Sequence, residues 1–294
     1  MAMPETEQQR RIRKAVDKAI KSRDRYAEDR VADMLKTLDA AADDVAKKIR
    51  RFEEKAVLKP WQQMRLTILR DLDKEVGSVA AELKANWKVG IRANVEGSMR
   101  LGIEDGISQL EAMQIPDFKD LTDVSRNALV KRTFSTIDRA AVDFLANYQV
   151  QLLGDVSAEL ASSIKRTVSH GVLTGKSIPE VARDIGRVVK DKDAFRRAGK
   201  TIFKTAQRRA TLIARTETLR AHNEGRKVFY RQVGITKVRW LIADDDRTCK
   251  ICRSLDGKVF GIDEVEGPHP GCRCTTVAMA GTASSEWPTW EPRR

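Results

Sequence analysis

The chain has 294 residues, 33% of them charged and only 5% aromatic, and a formal net charge of +13. That balance is poor material for one large core and suits long solvated helices, so there is room for two domains or for one domain with an extended helical arm. No apolar run approaches the roughly 18 residues of a membrane span. The start, Met1-Ala2-Met3-Pro4-Glu5, lacks the apolar stretch of a signal peptide, so a membrane protein is excluded on this reading and a cytoplasmic origin is expected.

The first third reads as long helices. Val31, Leu35, Leu38, Ala42, Val45, Ile49 and Phe52 alternate spacings of four and three, the seam of a coiled coil, with charged residues between. Pro60 interrupts the pattern by removing a backbone donor. A second seam follows at Leu69, Leu72, Val76, Val79, Leu83 and Trp87. Two such helices about one break predict an antiparallel hairpin over residues 1–114, read as a supporting bundle rather than a dedicated partner surface.

At Gln114-Ile115-Pro116-Asp117 the helical period lapses, and it resumes through Leu129, Phe134, Ile137, Val142, Phe144, Val150 and Leu153 in a connector spanning 115–165. In the run Gly171 to Glu180 a glycine can end one helix and Ser177 can cap the next, with Pro179 and Glu180 in its first turn. The arrangement has the outline of a helix-turn-helix, although short helix pairs are common and this one is weak evidence for a DNA reader.

A basic helix is predicted over about 198–232, ended near Gly234. Between Arg196 and Arg239 stand thirteen lysines and arginines against two acids, Glu217 and Glu224, so nearly all the net charge sits in one segment. Such a stripe concentrates polyanions, with DNA the obvious one, and Arg208, Arg209, Arg215, Arg220, Arg226, Lys227 and Arg231 are the candidate contacts. The plain alternative is a solvated face that meets acidic proteins. Arg215 and Glu217 are two apart on the helix and cannot pair directly. The period then changes: Val238, Trp240 and Ile242 share one side of a strand, and Lys258-Val259-Phe260 forms a second. Asp244-Asp245-Asp246 reads as a solvated loop, and residues 281–294 as a flexible tail.

All four cysteines, Cys249, Cys252, Cys272 and Cys274, fall in the C-terminal quarter of the chain, and His269 stands beside the second pair. A Cys-x-x-Cys turn brings two thiolates to one ion, and a second pair about 20 residues on closes a tetrahedron. In a reducing compartment the pattern favours zinc over disulfides. The four cysteines are the first choice of ligands, with His269 as substitute because Cys-x-Cys is a tight spacing. A closed four-ligand site leaves no position for water, so the metal is structural: it staples a module with too little apolar surface to fold alone.

These residues resemble the phage Mu protein F-like, or phage head morphogenesis, family. The carriers run from about Gly171 to Val277: Gly171 through Gly175 with Ser177; Ala214-Arg215-Thr216-Glu217; Ala221, Asn223 and Gly225; Tyr230, Gly234 and Trp240. The closing motif is Asp246-Arg247-Thr248-Cys249-x-x-Cys252-x-x-Leu255-Asp256-Gly257-Lys258-x-Phe260, followed by His269-Pro270-x-Cys272-Arg273-Cys274. The resemblance implies a minor capsid protein present in few copies at the portal vertex. It further implies portal, major capsid and scaffold proteins as partners, a role in head assembly and DNA packaging or delivery, and a place in the virion interior after assembly in the host cytoplasm. It also implies that Arg215 and Glu217 brace the helix against the cysteine module, and that some relatives are fused to toxin domains such as ADP-ribosyltransferases.

Two rival classes are a nuclease of the His-Asn-His type and a zinc-bearing DNA-binding regulator. The first is disfavoured because the only histidines are His170, His222 and His269, with His222-Asn223 on the basic helix rather than in a hairpin. The second needs a stronger recognition motif than the chain offers. The expectation is therefore a mainly α, non-enzymatic protein: a long helical hairpin or bundle, then a small α+β zinc-stapled module over residues 166–280. Double-stranded DNA is its non-specific partner, with no membrane and no small-molecule substrate.

Overall fold

The computed structural model describes residues 6–56, 63–173, 202–243, 248–265, 269 and 272–279. Pro60, the helix-turn-helix-like stretch from residue 174 onward, Asp244 to Asp246 and the tail lie outside them. The described elements are α1 (Glu7–Ala56), α2 (Gln63–Ala112), α3 (Asp123–Ser135), α4 (Arg139–Leu173), α5 (Ile202–Gln232), β1 (Lys237–Leu241), α6 (Lys250–Leu255), β2 (Val259–Gly261) and β3 (Thr275–Ala278). The fold is mainly α with one small antiparallel sheet, as expected. No described helix is long and apolar enough to cross a membrane.

The chain divides into two compact units that are not contiguous in sequence. One comprises Met1–Arg30, Arg92–Leu145 and Arg215–Arg294; the other comprises Val31–Ile91 and Ala146–Ala214. The C-terminal module is thus built together with the first turns of α1 and the second half of α2, a grouping that differs from the contiguous arm, connector and module read from the sequence.

In the second unit, Met34 and Leu38 of α1 are buried, as are Val79, Leu83, Trp87 and Ile91 of α2, and Trp87 Nε1 donates to Thr37 Oγ1 at 2.7 Å. The two seams therefore meet each other there. Met34 takes the buried place that the sequence pattern gave to Leu35, which is half buried.

In the first unit α1 runs antiparallel to α2, with Gln8 bonded to the Met113 carbonyl and Tyr26 to that of Asn94. Ile12, Val16, Ile20, Arg23 and Ala27 form the buried stripe of α1. On α2 the apolar positions Val95, Met99, Ile103 and Ile107 advance by fours, and each step turns about 40° around the axis. Ser98, Asp105 and Gln109 are buried as well, so this half of α2 is enclosed on most sides and forms the unit's central helix.

Helix α5 crosses α2 at backbone contact. A Cβ on Gly102 would stand 1.9 Å from the His222 carbonyl oxygen, and one on Gly225 would stand 2.1 Å from that of Met99. Ser98 Oγ donates to the Thr218 carbonyl at 2.6 Å across the same crossing. Only glycine permits that approach.

Both helices that enter the sheet region end in the same left-handed stop. Gly234 (φ 77°) follows α5, with Ile235 N–H bonded to Tyr230 O at 2.9 Å and Gly234 N–H to Arg231 O at 3.2 Å. Gln114 (φ 58°) does the same after α2, with Ile115 bonded to Leu110 and Gln114 to Glu111. The sheet order is β2-β1-β3, with Val238 opposite Phe260 on one side and Ala278 on the other.

Candidate metal centre

β1 delivers the chain to the first pair of thiols. Cys249 is the N-cap of α6, in extended conformation (φ −73°, ψ 163°), and its sulfur accepts from Cys252 N–H at 3.4 Å. One turn of helix thus points Cys249 and Cys252 in the same direction. Asp256 anchors the far end of α6 by accepting from Ile242 N–H at 3.2 Å, and Gly257 (φ 75°) turns the chain into β2. The second ligand loop precedes β3, where Cys272 N–H donates to the His269 carbonyl at 2.9 Å.

The two loops converge. His269 Nε2 lies 3.3 Å from Cys249 Sγ and 3.0 Å from Cys252 Sγ, while Cys252 Sγ lies 3.7 Å from Cys272 Sγ. Two sets of donors fall within 4.8 Å of one another, Cys249–Cys252–His269 and Cys252–Cys272–Cys274, sharing Cys252. In a tetrahedron with sulfur at about 2.3 Å and nitrogen at about 2.0 Å, the edges are roughly 3.5–3.8 Å. The Cys252–Cys272 spacing matches such an edge, the two His269 spacings are shorter than one, and all four thiols are free of disulfides. Trp240 packs against Cys252, Cys272 and Cys274 and makes the site's apolar floor, with Leu255, Phe260 and Val265 around it.

The four thiols of the cluster do not ionise alike. The Cys272 thiol is lowered to about 5, first by its hydrogen bond with Cys274, and the Cys274 thiol is raised by that same bond. Burial pushes Cys252 up to about 12, and the Cys272 charge adds to it. Cys249 is lowered, chiefly by the backbone N–H of Cys252. A divalent ion bound there would favour the thiolate form of each sulfur it touched.

Among the described residues of the basic segment, several cations are engaged within the protein. Arg226 is buried, 2% exposed at its side chain; its Nη1 donates to Asp105 Oδ2 and to Thr275 Oγ1, both at 2.6 Å, and its Nη2 donates to Asn223 and Thr276. It is a core residue whose donors are spent inside the protein. Gln109 continues the network, donating to Asp105 at 3.1 Å and accepting from Tyr230 Oη at 2.5 Å.

Lys227, largely buried, bonds Glu224 and the Val265 carbonyl. The brace between α5 and the cysteine module is therefore made by Arg226 and Lys227. Glu217 instead pairs with Arg220 at 2.9 Å, and burial raises its carboxyl. Arg231 pairs with Asp263. Arg208 is exposed, and Arg209 and Arg215 are half buried.

What sequence reasoning missed is the other side of this brace: Asp105, Gln109, Thr275 and Thr276. The two threonines directly after Cys274 and the Gly102-x-x-x-Gly106 spacing on α2 were the signals available.

Residues 162–277 match the family model described as Phage Mu protein F like protein. Among curated proteins, an uncharacterized protein of Haemophilus influenzae is 21% identical over 183 residues, covering 60% of this chain and 37% of that protein. The NAD(+)--arginine ADP-ribosyltransferase EFV of Enterococcus faecalis is 28% identical over 148 residues, covering 44% of this chain and 28% of that enzyme. The chain thus spans only about a third of the length of these relatives. No solved structure matches. The matched span, residues 162–277, takes in α5, the sheet and the thiol–imidazole cluster.

Proposed function

We propose that this chain is a non-enzymatic head morphogenesis protein, a minor capsid component of a tailed phage or prophage-like particle that acts at the portal vertex during head assembly and DNA packaging. The observation that carries this reading is the match over residues 162–277, whose closing Cys/His motif coincides with a compact, partly buried donor cluster. The cluster holds a structural zinc through Cys249, Cys252, His269 and Cys272, because His269 Nε2 stands within 3.3 Å of both Cys249 and Cys252 sulfurs and Cys272 is 3.7 Å from Cys252. Cys274 serves as hydrogen-bond partner to Cys272. A full set of four protein ligands leaves no site for a reactive water, which supports a structural role.

Portal, capsid and scaffold proteins are the partners, and the protein resides inside the virion after assembly in the host cytoplasm. Contact with packaged DNA is non-specific and falls to outward cations such as Arg208, since Arg226 and Lys227 are committed within the fold. The transferase activity named for the Enterococcus faecalis protein is that protein's own and is not carried over.

The test uses an inducible particle that encodes this chain. Mass spectrometry of gradient-purified particles should find the chain, and a nonsense mutation early in α1 should abolish DNA-filled heads. Absence from particles together with a normal yield of filled heads would refute the proposal.

A further inference from the structure

The buried stripe of α1 reads Ile12, Val16, Ile20, Arg23, Ala27, so an arginine occupies a position that packing alone would give to an apolar side chain. Its side chain is 1% exposed, and burial pulls its pKa down. A guanidinium placed there is costly unless its donors are met. The ligand loop meets its two terminal nitrogens, while the buried Nε has no partner: Arg23 Nη2 donates to the Arg273 carbonyl at 2.7 Å and Nη1 to the Cys274 carbonyl at 3.4 Å. The neighbouring Asp24 closes the arrangement, accepting from Arg23 Nη2 at 3.2 Å and from Arg273 Nε at 3.0 Å. Two adjacent residues of α1 thus grip two adjacent residues of the loop that presents Cys272 and Cys274.

We infer that Arg23 and Asp24 are positioning residues of the metal centre, and that ion binding and docking of the first turns of α1 form one linked equilibrium. The grip fixes the backbone on the C-terminal side of Cys272, and so fixes the direction from which that sulfur approaches the ion. Residues around the ligands of a metal tune its affinity in this way. Linkage is reciprocal: if docked α1 tightens the ion, the ion must tighten docked α1. The inference rests on the metal reading above, but its two residues lie outside the matched span of 162–277. It explains why the cysteine module shares a compact unit with residues near the opposite end of the chain.

The experiment uses the full chain loaded with zinc. Wild type, R23M, D24N and R23K are titrated with a chromogenic chelator. Unfolding of loaded and metal-free forms is followed alongside, and hydrogen exchange is measured by mass spectrometry on residues 7–30 before and after chelation. R23M and D24N should bind zinc roughly ten- to a hundredfold more weakly. R23K, which keeps the charge and loses the two-pronged fork, should recover part of the loss. The melting-temperature gap between loaded and metal-free protein should shrink in R23M. In wild type, chelation should speed exchange in residues 7–30 and leave α3 unchanged.

Equal destabilisation of loaded and metal-free R23M would mean packing alone and would overturn the inference, as would wild-type exchange in residues 7–30 that ignores chelation. That wild-type arm decides the matter if R23M does not fold. A wild-type chain that takes up no zinc overturns the metal reading and this inference with it. A zinc-binding wild type with R23M and D24N of equal affinity overturns this inference alone.

Discussion

Replacing Gly102 by alanine tests the crossing of α2 and α5 directly. In an exposed helix the change is favourable by up to about 1 kcal/mol, because glycine pays the larger entropy on folding. At Gly102 the new methyl would sit 1.9 Å from the His222 carbonyl oxygen, 2.8 Å from its carbon and 3.0 Å from Arg226 N. Ordinary contact needs about 3.4 Å, so the helices must part by roughly 1.5 Å, and both obstacles are backbone that cannot rotate away. That displacement stretches the 2.6 Å bonds from Arg226 to Asp105 and from Ser98 to Thr218 beyond hydrogen-bonding range. Separating a buried ion pair is worth about 3–5 kcal/mol. Allowing for partial relaxation and the propensity gain, the expected net loss is about 3 kcal/mol.

The assay is urea and thermal unfolding followed by helical circular dichroism. G77A and G90A serve as controls on the same helix, since a Cβ at either glycine meets nothing within 4 Å. The controls should match or exceed wild-type stability, while G102A should fall well below it. A G102A protein as stable as G90A would refute the close crossing.

Gln114→Gly should raise stability by about 0.5–1 kcal/mol in the same assay, since a left-handed residue after α2 (φ 58°) favours glycine. His222 is fully buried and held well below its usual pKa, first by desolvation and then by Arg226 and Arg23. The unfolded chain therefore takes up a proton near pH 6.5 that the native chain refuses, and stability is present above that pH and lost as pH falls below it. H222Q should flatten this part of the stability profile between pH 7 and 5 relative to wild type, by at most about 1.4 kcal/mol per pH unit; an unchanged slope would contradict the neutral buried imidazole. For the metal centre, cobalt substitution reads the donor set: C249S, C252S and C272S should each weaken thiolate-to-cobalt charge transfer. H269A should lower affinity and leave that band's sulfur count intact, and C274S should keep near-native binding. Loss of the tetrahedral spectrum in C274S but not in H269A would reverse the assignment.

Local chemistry made much of this protein legible beforehand. Heptad spacing identified the two long helices, and the lapse at Gln114 coincides with a real left-handed stop. Gly234 ended the basic helix as expected, and alternation at Val238 and Trp240 marked the central strand. The clustering of Cys249, Cys252, His269, Cys272 and Cys274 foretold a donor cluster because ligand spacing is a short-range property. β3 was missed because Thr275-Thr276-Val277-Ala278 is buried at every position and shows no alternation.

The charge stripe on α5 shows the limit of local reading. Composition cannot distinguish an arginine that faces water from one that faces a carboxylate on another helix. Asp105 lies 121 residues from Arg226, and Arg23 lies 251 residues from Cys274; only the packing of α2 on α5, and of α1 on the ligand loop, brings them together. Secondary structure and metal-ligand spacing are set by neighbours along the chain, which the sequence by itself determines. Which buried charges are paired, and which glycines bear a crossing, depends on contacts between distant segments, and those the tertiary structure alone decided.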